Sequence, residues 1–344
     1  MKKRINLALQ GGGAHGAFTW GVLDTLLRDA DIEIAAISGT SAGALNAAAL
    51  KSGMVKDGRA GAIANLDWLW EKVGAIDDTA TTSWLQTFGP SADWIAKAME
   101  YSPAFAAVDF TTRMMSPYAF GPMLQNPLSG IVRKFDFDNV CEKSGPAINI
   151  CATNVRSGKV RVFSGKEISA DVIMASACLP TLFQAIELDD PKTGQREAFW
   201  DGGYTGNPAL FPLFHNDLPN DILVININPL HREELPTSPQ AIANRINEIS
   251  FNSSLLRELR AIHFVKRLLR DGSVKPGTMK NVLVHMISDD ALMNTLSVAT
   301  KTIPTPYILQ ELKTAGQKAA KTFLKAHKSD LNTRSTLDLD AMFN

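Results

Sequence analysis

Apolar residues at the start of the chain follow two periods in turn. Residues 5–9 form a short apolar run. Over residues 17–28, Phe18, Val22, Leu23, Leu26 and Leu27 recur at helical spacing. Residues 34–38 form a second apolar run, and residues 42–52 read as a helix of small side chains. Each run passes into its helix through glycines: Gly11-Gly12-Gly13-Ala14-His15-Gly16 in the first case, Gly39-Thr40-Ser41-Ala42-Gly43 in the second. Strand, turn, helix repeated in this way predicts a parallel βαβα start. Ligands of such sheets sit at the carboxyl ends of the strands, where both glycine turns fall.

Farther along, residues 65–130 are rich in Trp, Phe and Met and are broken by prolines and glycines. They predict helices packed over the sheet edge, or a cap whose aromatic and Met side chains form an acyl-chain groove. Strands are expected at 147–153 and 159–164, and a helix at 168–177 halted by Pro180. A short strand at 197–200 delivers Asp201-Gly202-Gly203. Residues 221–228 and 282–287 read as further strands. The apolar series of 240–270 predicts a long amphipathic helix or a broken pair, and 306–327 a terminal helix. Both carry basic residues on the polar side, which suits a solvated face or an anionic membrane surface.

Composition narrows the partners. The 344 residues are 45% apolar and 20% charged, with 35 basic and 35 acidic side chains, so no global charge steers the chain toward nucleic acid. No run approaches the length of a membrane span. Met1-Lys2-Lys3-Arg4 resembles the start of a signal peptide, but the apolar run after it is too short. Cys141, Cys151 and Cys178 have no metal-binding spacing and suit a reducing compartment. The expectation is a cytoplasmic protein, with peripheral contact to the inner face of a membrane. No metal or cofactor is expected, and Asp189-Asp190 and Asp289-Asp290 read as turns.

Gly11-x-Gly13-x-x-Gly16 after a strand is formally a dinucleotide fingerprint. That chemistry wants an acid at the end of the second strand, whereas Asp31 and Glu33 precede it. The second turn points elsewhere. A serine between glycines at a strand–helix corner is held out into a cleft, and the helix start aims free N–H groups toward it. A nucleophile needs a base, and two candidates stand open. A histidine can serve in a Ser-His-Asp relay, but nothing singles out one of the six. Alternatively Asp201, placed after Phe199 and Trp200, is desolvated enough to act as a stronger base. As a bland alternative, Asp201-Gly202 is an ordinary turn.

Taken together and in this order, the Gly11–Gly16 turn, Gly39-Thr40-Ser41-Ala42-Gly43 and Asp201-Gly202-Gly203 resemble the patatin-like phospholipases. The block from Ala175 to Phe183, with its proline turn, fits the same family. The resemblance covers residues 5–215. It implies a three-layer α/β/α sandwich with a mainly parallel sheet and a helical cap insertion at about 65–130. Residues 216–344 would complete the sheet and add amphipathic helices. It further implies Ser41 as nucleophile and Asp201 as base. The oxyanion hole maps to Gly11, Gly12 and Gly13, with Gly16, Gly39, Gly43, Gly202 and Gly203 as supporting motif positions. The substrate would be a phospholipid or another fatty-acyl ester. A non-catalytic lipid-binding regulator on the same fold is the remaining alternative. One departure is visible: His15 stands where many members carry Arg or Lys.

Overall fold

In the first strand, β1 (Lys3–Leu9), alternate side chains serve two separate cores. Ile5, Leu7 and Leu9 enter one hydrophobic cluster, while Ala8 enters the other. β7 (Asp221–Ile225) behaves likewise, with Leu223 and Ile225 on the first side and Ile222 and Val224 on the second. This period of two, with both faces buried, is what a sheet between two helical layers requires. The computed structural model describes residues 2–76, 115–119, 126–275, 277–296 and 298–343.

Among the described residues the sheet has eight strands. β2 (Ile32–Thr40), β3 (Ala147–Asn154), β4 (Val160–Ser164), β5 (Ile186–Asp190), β6 (Gln195–Asp201) and β8 (Leu283–Ile287) join β1 and β7 in the order β5-β6-β3-β2-β1-β7-β8, with β4 paired to β3. The pairings β1–β2, β2–β3, β1–β7 and β7–β8 are parallel, whereas β3–β4, β3–β6 and β5–β6 are antiparallel. α1 (Gly16–Arg28), α2 (Ala42–Gly74) and α6 (Pro306–His327) cover one face, contributing Phe18, Leu50, Leu66 and Leu309 to its core. α4 (Pro239–Arg270) covers the other through Leu255, Leu259 and Ile262. The fold is therefore the expected three-layer α/β/α arrangement with a mostly parallel sheet.

α2 runs past its expected end. It has two arms that meet at Asp57 and Gly58, and Gly58 takes a left-handed φ of 57°. A Cβ on Gly53 would lie 2.2 Å from the carbonyl oxygen of Gly61, so glycines let the arms cross in backbone contact. Leu66, Leu69, Trp70 and Val73 of the second arm are buried in the core. Residues 65–74 thus continue α2 into the core. Residues 77–114 and 120–125 of the expected cap lie outside the described residues.

The register on β3 brings distant residues together. Ala152 pairs with Arg161 of β4 and also with Asp201 of β6, so β4 and β6 flank opposite edges of β3 there. Cys151, one residue earlier, pairs with Val162 of β4 and with Thr40 of β2. β6 therefore continues the edge that β2 vacates. The residue after Thr40 and the last residue of β6 come to adjoining positions on one edge, and these are Ser41 and Asp201.

Candidate active site

Ser41 occupies the corner between β2 and α2 with φ 54° and ψ −120°. This left-handed conformation is rare for a residue with a side chain and costs of order 1–3 kcal/mol, so surrounding contacts must impose it. They do. The Ser41 N–H donates to Ser176 Oγ at 2.9 Å, and that hydroxyl donates to the Cys151 carbonyl at 2.6 Å. Ser176 ends a short helix, α3 (Ala170–Ser176), and pins the serine corner to β3. The Ser41 carbonyl accepts from Ala44 and Leu45, so the corner opens α2 directly.

The two glycine turns are in backbone contact. A Cβ on Gly11 would stand 2.7 Å from Ser41 Cβ, and one on Gly43 would stand 2.2 Å from the Leu9 carbonyl oxygen. Gly16 and Gly39 face comparable approaches, to Ala42 Cβ and to the Gly43 carbonyl. Larger residues at these places would push the turns apart. Gly13 has φ +58°, and its missing Cβ would meet the carbonyl oxygen of Lys301 at 2.2 Å.

Within the first turn the three expected donors differ. The Gly11 N–H is committed to Asn207 Oδ1 at 2.6 Å, which removes it as a free donor. The Gly12 and Gly13 N–H groups have no hydrogen-bond partner among the described residues, and both glycines line the same cavity as Ser41. A relay of amides holds the turn from behind. Asn228 Nδ2 donates to the Gly11 carbonyl at 2.9 Å, and Gln10 Oε1 accepts from the N–H groups of Ile227 and Asn228. Asn228 lies just past β7, where the expected strand over 221–228 has already ended.

Asp201 ends β6 and is almost fully buried. Its N–H donates to the Cys178 carbonyl at 2.7 Å, and its carbonyl accepts from Thr153 Oγ1 at 2.8 Å, so the backbone is held from both sides. Oδ1 accepts from the Gly203 N–H at 2.7 Å. Burial pushes the carboxyl up to about 7, partly offset by the Gly203 N–H and the Ser41 hydroxyl. Oδ2 is buried and has no hydrogen bond of good geometry. Ser41 and Asp201 line the same cavity. Gly202 packs against the Cys151 carbonyl and Thr40, and a Cβ on Gly203 would meet the Phe251 ring at 2.4 Å. An alanine at position 203 would displace that ring.

Around these groups lies a cavity of about 270 Å³. Its apolar walls include Leu45, Trp70 and Val73 of α2, Leu179, Leu182 and Phe183 after α3, and Phe251 of α4. The block from Ala175 to Phe183 thus reaches the site. Lys301 of α5 (Val298–Thr302) also lines it, and no feature of the sequence had marked that residue. Asn207 and Asn228 were likewise unmarked, because each reaches the site only through tertiary packing, and Ser176 was marked only as part of the Ala175–Phe183 block.

No histidine lines the cavity among the described residues. His15 is buried, with Nε2 at 2.8 Å from Thr300 Oγ1, and burial together with the Lys301 charge holds it well below its usual range. His263, His285 and His327 bond to Asp340, Asp221 and Asp330 respectively. Among the described residues no group of three or more His, Cys, Asp or Glu side chains is placed to hold a metal ion, and no helix is long and apolar enough to cross a membrane. Cys141, Cys151 and Cys178 are free thiols.

Among solved structures, the chain is similar to VipD from Legionella pneumophila at 16% identity and a TM-score of 0.41, over 94% of this chain and 67% of that one. It is also similar to a chain in the complex of SpcU with ExoU from the type III secretion system of Pseudomonas aeruginosa. There the identity is 14% and the TM-score 0.31, over 94% of this chain and 53% of that one. This chain thus spans about half the length of the latter relative. No curated protein matches it significantly. The family model for patatin-like phospholipase matches residues 7–214, from β1 through both glycine turns to beyond Asp201, and by that match the chain belongs to the patatin-like phospholipases.

Proposed function

We propose that this protein is a serine lipid acyl hydrolase of the phospholipase A or lysophospholipase kind, with Ser41 as nucleophile and Asp201 as base. One observation carries the reading: a buried carboxylate, raised to about 7 and with one oxygen unpartnered, stands beside a serine held on a strained corner. A base with that affinity for a proton is matched to neutral pH. Hydrogen bonds of this kind often align only as the reaction begins, so a loose contact suits the role.

In the reaction, Asp201 takes the Ser41 proton as Oγ attacks the ester carbonyl. The negative charge that forms on the carbonyl oxygen is met by the Gly12 and Gly13 N–H groups, each worth on the order of 3 kcal/mol in the transition state. The carboxylic proton then passes to the departing alcohol or lysolipid. Water, deprotonated by Asp201, cleaves the acyl-serine and frees the fatty acid. The apolar walls at Leu45, Trp70, Leu182 and Phe183 suit an acyl chain. Near the cavity, α4 exposes Ile246 and Ile249 close to the cavity residues Asn247 and Phe251, a face suited to a lipid surface.

Ser41→Ala and Asp201→Asn are each expected to lower hydrolysis of a phosphatidylcholine or lysophosphatidylcholine panel by at least about a thousandfold, with unchanged melting behaviour for Ser41→Ala. The wild-type kcat/KM should rise with pH through about 7 as Asp201 loses its proton. His15→Gln, His215→Ala and His231→Ala should keep measurable turnover. A folded histidine variant as inactive as Ser41→Ala would replace the dyad with a triad. Failure of a fluorophosphonate to modify Ser41 would remove catalysis altogether.

A further inference from the structure

Lys301 belongs to a segment outside the family match, yet it closes the site from behind the glycine turn. Part of its surface lines the cavity, while the surrounding protein desolvates its ammonium. Nζ donates to Asn228 Oδ1 at 2.9 Å, and the Nδ2 of the same amide donates to the Gly11 carbonyl at 2.9 Å. The ammonium is thus one neutral amide away from the turn that carries the free Gly12 and Gly13 N–H groups. Thr300, the preceding residue, holds His15 of the same turn.

Among the described residues, the charges around Lys301 leave it without a dedicated counterion. Glu248 of α4 is the carboxylate that acts on it, but Arg232 and Arg245 both bond to Glu248, at 2.5 Å and 3.2 Å. Arg232 opposes the Lys301 charge, His15 on the glycine turn is held neutral, and Asp201 stands at the same cavity. A buried cation whose hydrogen bond, among the described residues, goes to an amide is costly unless negative charge arrives near it. Negative charge does arrive in the reaction proposed above, at the position facing Gly12 and Gly13.

We infer that Lys301 is a positioning residue of the hydrolase site: through Asn228 it fixes the oxyanion turn, and its charge strengthens the field on the developing oxyanion. This rests on the serine hydrolase reading. It is separate from the backbone brace at Gly13, which uses the Lys301 carbonyl and survives any side-chain replacement.

The test compares wild type, Lys301→Met and Lys301→Arg on p-nitrophenyl butyrate, an uncharged ester, across pH 6 to 10. Burial lowers the Lys301 ammonium to about 8, against the pull of Glu248, so wild-type kcat should decline above that pH as the charge is lost. Lys301→Met should lose about thirtyfold or more in kcat with KM within about twofold, and should show no alkaline decline. Lys301→Arg should recover most of the turnover and stay flat to pH 10. Should Lys301→Met unfold, the missing alkaline limb in Lys301→Arg alone carries the test. An active wild type whose Lys301→Met variant is unchanged overturns the inference. So does a variant impaired only in KM for an anionic lipid such as phosphatidylglycerol, which would make Lys301 a headgroup anchor. A wild type with no Ser41-dependent turnover overturns the hydrolase reading itself, and this inference with it.

Discussion

Burial pushes the Asp201 carboxyl from its ordinary 3.8 up to about 7, which links the proposed catalysis to stability. The neutral acid is tolerated in the fold below pH 3.8. As pH rises from 3.8 to about 7 the unfolded chain releases a proton that the folded one retains, so stability is lost, by on the order of 4 kcal/mol once pH exceeds 7. Asp201→Asn keeps an acceptor for the Gly203 N–H and removes the charge. It is expected to raise the melting temperature at pH 8 by about 4 °C or more while abolishing hydrolysis, and to lose that advantage at pH 4. Equal melting shifts at both pH values would contradict the assignment of the raised pKa to this residue. The proposed pair, Ser41 and Asp201, was legible in the sequence because each member follows an apolar strand and precedes glycines. Only the family resemblance favoured Asp201 over a histidine. The residues that hold the pair, Ser176, Asn207, Asn228 and Lys301, are ordinary polar side chains in sequence. Their value comes from positions across the fold, which no local pattern encodes.

At the scale of elements, the first and last long helices are matched through two glycines. A Cβ on Gly21 of α1 would lie 1.9 Å from the Lys313 carbonyl oxygen, and one on Gly316 of α6 would lie 2.1 Å from that of Phe18. The backbones touch where these residues cross, and Lys313 Nζ sits 3.8 Å from the centre of the Trp20 ring while pairing with Asp67 at 2.9 Å. The basic series on this helix, which suggested a membrane face, is thus partly spent within the fold. Gly21→Ala and Gly316→Ala should each destabilise the protein by about 2–4 kcal/mol, by forcing the helices apart, with Ser41 labelling retained at low temperature. A melting shift under about 1 °C for both would show that the crossing gives way freely. Elements with strong periodicity were readable: β1, β7, β8, α4 and α6 fall where apolar spacing predicted them, to within a few residues. The second arm of α2 was not placed as part of that helix, because the small-residue helix was expected to end at 52 and the arm's tryptophans read as a separate edge helix or cap. In the fold Gly53 is a crossing point, and those tryptophans pack into the core or toward the cavity.

For the whole molecule, the family match ends at residue 214, but the cooperative unit does not. β1, which carries the proposed oxyanion turn, has β2 on one edge and β7 on the other. Removing residues beyond 215 would leave β1 as an open edge and uncover α1 around Phe18 and Gly21, where α6 packs. It would also take away Asn228 and Lys301 behind Gly11. An unpaired apolar edge strand templates aggregation, and a turn deprived of its amide partners no longer holds the Gly12 and Gly13 N–H groups in place. A chain of residues 1–215 is therefore expected to be insoluble or, if refolded, to react with a fluorophosphonate at least about a hundredfold more slowly than the full chain. Supplying residues 216–344 as a separate fragment should restore labelling, since the contacts that complete the site are non-covalent. A soluble 1–215 fragment labelled at the full-chain rate would show that the glycine turn is held by its own half of the sheet. Asn228 and Lys301 would then lose their proposed part in holding the glycine turn, while the proposed roles of Ser41 and Asp201 would stand.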